Sequence, residues 1–120
     1  MTLRRQALGR RGEEEAARYL AGLGYRVVER NFRCPEGEID LIVLDGSVLV
    51  FVEVRSRSTD TFGLPQESVT GRKQKKVRRV AGHYLSLSGG HRGPLRFDVL
   101  AVKLGRTGEL EGLEHIKNAF

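Results

Sequence analysis

Residues 37–57, GEIDLIVLDGSVLVFVEVRSR, restrict the fold more than any other stretch of this chain. Apolar residues alternate with others on both sides of Asp45-Gly46. An Asp-Gly dipeptide between two such runs marks a β-hairpin. The pattern predicts strands over about 38–44 and 48–55. The same stretch carries acids at Glu38, Asp40 and Glu53 and a base at Arg55. Charges inside the most sheet-like part of a chain need a physical reason.

Side chains alternate across a strand. Val48, Val50, Val52 and Val54 therefore share one face of the second strand, and Leu49, Phe51, Glu53 and Arg55 the other. On the first strand Glu38, Asp40 and Ile42 share a face. A two-residue loop at Asp45-Gly46 pairs Leu44 with Ser47 and sets Asp40 diagonal to Glu53. A four-residue loop, 45–48, sets Asp40 directly opposite Glu53. Either loop leaves both acids on one face, provided that no bulge intervenes. Like charges so placed repel. A divalent cation between them removes the conflict, since Mg²⁺ takes oxygen ligands and commonly one or two carboxylates. The other reading is a solvated sheet face with ordinary surface acids.

Glu13 bears on that choice. Residues from about Gly9 to Leu23 have a helical pattern, with Gly24 as a stop. At 100° per residue, Ala16, Ala17, Leu20 and Gly24 fall within about 60° of Glu13. Glu13 thus lies on the apolar stripe that should face the sheet, while Glu14 and Glu15 are expected to point away. A buried acid is costly unless paired or metal-bound. Alternatively, Glu13 sits in the first turn, favours the helix dipole and reaches solvent.

The rest of the chain reads as one domain over 1–120. YRVVERNF (25–32) is a first strand and CPEG (34–37) a turn. Residues 56–71, rich in Ser, Thr, Gly and Pro, are a loop. Within it Phe62, Gly63 and Pro65 mark either a plain connection or a substrate-side or dimer-contact segment. A second helix fits about 72–87, with Thr70 as a cap. SGGHRGP (88–94) is a loop, LRFDVLAVK (95–103) a strand, RTGE (106–109) a turn and 110–116 a last short strand. The order αβββαββ predicts an α/β domain, a mixed sheet with helices packed on it. Asp98, on an otherwise apolar strand, is either a hydrogen-bonder at the core edge or a neighbour of the site.

Apolar residues make up 39% and charged residues 30% of the 120, an ordinary globular balance. No apolar run approaches the ~18 residues of a membrane span. The single cysteine, Cys34, excludes an internal disulfide and a Cys-based zinc site. His83, His91 and His115 have no metal-ligand spacing. No secretory signal is visible, so a cytoplasmic location is expected.

The formal net charge is +6, which favours an anionic partner. Its distribution says more. Residues 72–79, RKQKKVRR, concentrate cations on one predicted helix. With Val77, Val80, Ala81 and Tyr84 buried, Arg72, Lys75, Lys76, Arg78 and Arg79 spread over the sides and outside. Lys73 and Gln74 flank the buried stripe at the N-terminal end. This helix suits DNA-backbone contact, which carries little sequence information. A solvated helix face is the competing reading.

The order Glu13, Asp40, Glu53-Val54-Arg55 resembles the PD-(D/E)XK nuclease core, in which an acid on the first helix precedes a strand Asp and then Glu-X-Lys. GRRGEEEAARYLAGLGYRVVERNFRCPEGEIDLI, VFVEVRSRS, FGLPQESVTGRKQKKVRR, RFDVLAV and HIKNAF are together similar to the YraN-like family of small bacterial proteins. The likeness runs over nearly the whole chain from about Gly9. That family is in turn similar to archaeal Holliday junction resolvases, which are metal-dependent, usually dimeric DNA endonucleases. The resemblance implies a restriction-endonuclease-like fold, a DNA partner that includes branched DNA, and a homodimer. It implies Asp40 and Glu53 as ligands of Mg²⁺ or Mn²⁺, with the Val54 carbonyl and Glu13 as further ligands. Gln74 resembles a helical Gln near the site in some relatives. One position departs from the pattern: Arg55 stands where the motif has Lys. Arginine stays protonated above about pH 12 and cannot act as a general base. It can still hold a phosphate oxygen through its planar fork.

Overall fold

In the computed structural model of the chain, residues 5–58 and 69–120 are described. The hairpin forms as β2 (Gly37–Asp45) and β3 (Val48–Ser58). Asp45 pairs with Val48 and Leu44 with Leu49, so the turn itself holds Gly46 and Ser47. Gly46 has φ +59, a backbone state that glycine takes without steric cost. The expected Asp45-Gly46 loop is therefore displaced by one residue. The resulting register is the one that sets Asp40 across from Glu53.

Upstream lie α1 (Arg5–Gly22) and β1 (Arg26–Cys34). Cys34 pairs with Gly37 across a Pro35-Glu36 turn, which makes β1 an antiparallel neighbour of β2. Downstream, α2 (Gly71–Ser88) leads to β4 (Leu95–Leu104) and β5 (Leu110–Ile116). Thr70 caps α2 as expected, its side chain accepting from the Lys73 amide, and Gly89 ends the helix in the left-handed conformation. The sheet order is β1-β2-β3-β4-β5. β3 and β4 run parallel and the other neighbours antiparallel. This is the α/β mixed sheet flanked by helices that the residue pattern predicts. Phe62, Gly63 and Pro65 lie outside the described residues.

The two helices cover opposite faces. On one, Ala16, Ala17 and Leu20 of α1 pack on Leu41, Val43, Val50, Val52 and Val54 and on Leu100, Val102 and Leu104. On the other, Val77, Val80 and Ala81 of α2 pack on Ile39, Ile42, Leu49, Phe51 and Phe97. The valines of β3 and the Leu49/Phe51 pair separate as alternation requires. Ile39 and Ile42, three residues apart, share one core, so alternation slips between them and Asp40 sits at the slip.

α1 lies close to β3. A Cβ at Gly12 would come within 2.9 Å of the Ser56 Cβ, so a side chain there would push the helix off the strand. That close approach brings the first two turns of α1 over the ends of β2 and β3. Among the described residues, no helix is long and apolar enough to cross a membrane.

Candidate metal and phosphate site

The first turns of α1, residue 40 of β2 and the last part of β3 enclose an open cavity of about 390 Å³. Glu13, Asp40, Val54 and Arg55 line it, together with Arg5 and Ser56. Glu13 is where the helical wheel puts it, half-buried and turned towards the sheet. Its Oε1 is buried with no hydrogen-bond partner. Burial raises its pKa, and the neighbouring Asp40 and Glu38 charges raise it further. Glu14 is exposed as expected, but Glu15 is not: it is 6% exposed. It lies on the other edge of the apolar stripe, where ion pairs with Arg11 and Arg18 offset its burial.

Asp40 does not continue the ladder. Pairing of β2 with β3 runs from Asp45 to Leu41 and stops. The Asp40 Oδ2 instead accepts a hydrogen bond from the Val54 amide at 2.8 Å. Burial raises the Asp40 pKa, and that hydrogen bond opposes the rise. Glu53 is 9% exposed, and its Oε1 also lacks a partner. Burial, and then the Asp40 charge, pushes its pKa up to about 8 despite the pull of Arg55. Glu53 shares its face of β3 with Phe51 and with Arg55, and Arg55 lines the cavity beside Asp40 and Glu13. The slip between Ile39 and Ile42 takes Asp40 out of strict alternation, so its placement relative to Glu53 does not follow from strand register alone. The two acids remain electrostatic neighbours across the β2–β3 seam.

Arg55 reaches Glu53 at 3.8 Å, while its buried Nε has no partner. The α2 N-terminus approaches the same end of the sheet, where the Lys73 charge acts on Glu53. Arg72, Lys73, Lys75, Lys76, Arg78 and Arg79 are all exposed. Arg79 lies 3.5 Å from Glu36, and Arg78 sits 4.8 Å above the Phe97 ring. Gln74 donates to the Val69 carbonyl, which ties down the entry to α2.

The donor chemistry fits a hard dication. Carboxylate and carbonyl oxygens suit Mg²⁺ or Mn²⁺. Two buried carboxylate oxygens without partners have a desolvation cost that such an ion would relieve. Among the described residues, no group of three or more His, Cys, Asp or Glu side chains is placed so that it could hold a metal ion by itself.

Some lining residues escape a reading by residue type. Val54, Ser56 and Ser58 alternate along β3, and the change from valine to serine marks where a core face becomes a cavity wall. Arg5, Gly9 and Glu13 recur at helical spacing along the other wall. Asp98 belongs elsewhere. Wholly buried, it accepts from Arg96 through both oxygens, from the Asn118 amide and, at 2.8 Å, pairs with His115. Arg96 extends this network to Asp45 and Tyr25.

A family model described as "Uncharacterised protein family UPF0102" matches residues 12–102. The chain belongs to the UPF0102 family. This is the YraN-like membership expected from its motifs. A UPF0102 protein of Moorella thermoacetica is 52% identical over 120 residues, covering 100% of both chains. Another, from Pelotomaculum thermopropionicum, is 53% identical over 116 residues, 97% of each chain. A Geobacter sulfurreducens UPF0102 protein is 45% identical over 113 residues, 94% of this chain and 88% of its own. The UPF0102 match includes Glu13, Asp40, Glu53 and the basic helix.

Proposed function

We propose that this UPF0102 protein is a Mg²⁺- or Mn²⁺-dependent DNA endonuclease of the PD-(D/E)XK kind, acting on branched DNA and working as a homodimer. The observation that carries the reading is the pair of buried, unpartnered carboxylate oxygens of Glu13 and Glu53, two acids that both feel the Asp40 charge. A fold keeps such groups against their desolvation cost where they have a ligand to hold. Asp40, Glu53 and the Val54 carbonyl would hold the ion, with Glu13 completing the set from α1. When bound, such an ion lowers the pKa of water and draws negative charge from a phosphoryl oxygen. The chain's own part is to place and neutralise the phosphodiester. Arginine does not serve as a general base, so the part of Arg55 is to hold a phosphate oxygen through its planar fork. Arg5 faces the same cavity and adds positive potential. The exposed cations of α2 grip the flanking backbone without reading sequence.

A second reading is a DNA-binding protein that does not cut. It is supported by Arg55 in the lysine position and by the absence, among the described residues, of three or more His, Cys, Asp or Glu side chains placed to hold a metal ion. Cleavage of linear, nicked, flap and four-way DNA with Mn²⁺, beside Asp40→Ala, tests both. The nuclease reading expects metal-dependent cutting that Asp40→Ala abolishes while DNA binding persists. Binding without any cutting by the wild type overturns it in favour of the second reading. Cutting that survives Asp40→Ala comes from a contaminant.

A further inference from the structure

The slip in β2 has a partner on β1. Arg30 pairs with Leu41 and Phe32 with Ile39, which places Asn31 directly across from Asp40. At that step between them the pairing is interrupted. Asn31 has φ 51, a left-handed backbone state, and is one of two non-glycine residues with positive φ among those described. Asparagine tolerates this conformation better than most residues, and β-branched residues tolerate it worst. On its other side Asp40 has also left the ladder, since β2–β3 pairing stops at Leu41 and Val52. Its carboxylate, not its backbone, meets β3, at the Val54 amide. The consequence is visible in the packing: Ile39 and Ile42 enter the same core although they are three residues apart. Asn31 also lines a second cavity, about 190 Å³, with Glu13 and Arg30, so Glu13 stands in the wall of both cavities.

We infer that Asn31 is a positioning residue for Asp40: its left-handed backbone breaks the β1–β2 ladder at that one step, and the break turns the Asp40 carboxylate onto the Val54 amide and into the cavity beside Glu13. A regular pair at 31–40 would keep Asp40 in the pleat, facing α2. The irregularity is thus a device that moves one acid across the sheet towards another. The metal consequence rests on the function proposed above; the backbone consequence does not.

The test compares Asn31→Gly, which adopts positive φ freely, with Asn31→Val, which resists it. Hydrogen exchange of the Val54 amide reports the Asp40 hydrogen bond, and Mn²⁺ broadening of nearby amide signals reports the ion. Asn31→Gly is expected to keep both. Asn31→Val is expected to exchange the Val54 amide about tenfold faster or more, with amides of the β3–β4 pairing unchanged, and to lose the broadening. Wild-type protection of Val54 in Asn31→Val overturns the inference, as does equal loss in Asn31→Gly. If Asn31→Val fails to fold, Asn31→Asp against Asn31→Ala carries the same comparison, because Asp also tolerates the left-handed state. Wild-type protein without any Mn²⁺ effect counts against the metal reading alone, and the Val54 amide still decides the role of Asn31.

Discussion

Replacing Glu53 by Gln should stabilise the metal-free protein at neutral pH and leave it nearly unchanged, or slightly weaker, at pH 5. The Glu53 pKa is pushed up to about 8 by burial and by Asp40, from an ordinary value of 4.5. A carboxyl raised in the folded state contributes its full stability below the unfolded value and loses it as pH climbs to the folded one. Each pH unit between 4.5 and about 8 therefore costs the folded state about 1.4 kcal/mol relative to the unfolded chain. The accumulated cost is about 3 kcal/mol at pH 7 and about 5 kcal/mol above pH 8. Glutamine carries no such charge but buries an amide, at about 1–2 kcal/mol where its hydrogen bonds are incomplete. The net gain is thus roughly 1–2 kcal/mol at pH 7, growing towards pH 8 and vanishing near pH 5. Urea unfolding of both proteins at pH 5, 7 and 9, without metal, measures it. With Mn²⁺ at about a hundred times its Kd, the wild type should gain about 2.7 kcal/mol and Glu53→Gln little. A stability difference that stays flat from pH 5 to 9 would refute the claim that Glu53 is held protonated by its surroundings.

Arg96→Ala should cost about 3–5 kcal/mol in urea unfolding, because it strips the wholly buried Asp98 of its bidentate partner; a loss below 1 kcal/mol would mean that Asp98 is satisfied without it. Gly12→Ala should cost about 1–3 kcal/mol by forcing α1 away from Ser56, and a second change, Ser56→Gly, should restore most of that loss. Charge reversal at Arg72 and Lys75, both exposed on α2, should weaken DNA binding and lower the slope of log affinity against log salt by about 0.9 for each phosphate that is no longer neutralised; an unchanged slope in fluorescence anisotropy would remove this helix from the DNA interface.

Much of the fold is legible in local patterns. Alternating apolar runs around a glycine turn announce β2 and β3, and Thr70 and Gly89 bracket a helix whose apolar residues recur at helical spacing. These signals survive because each depends on a few neighbouring residues. The candidate site is legible only in part. Glu13 stands out because an acid on an apolar stripe contradicts its surroundings. Asp40 and Glu53 stand out for the same reason, but their relative placement does not follow from alternation. It depends on a left-handed residue nine positions upstream, on another strand, and nothing in the local pattern around Asp40 records that. Glu15 is misjudged because the arginines that make its burial tolerable lie three and four residues away and look like ordinary surface charge. Asp98 remains open until Arg96, His115 and Asn118 are seen around it.

By itself, the order of residues determines which segments become helix or strand, which faces are apolar, and that acids interrupt the sheet while cations gather on α2. Those properties come from periodicity and side-chain chemistry, which act over a few residues at a time. The tertiary structure alone decides that β3 and β4 lie parallel, that α1 and α2 cover opposite faces, and that Asp40 leaves its ladder to meet the Val54 amide beside Glu13. Each of these depends on residues distant in the chain meeting in space, where backbone pairing, close packing and desolvation are settled together.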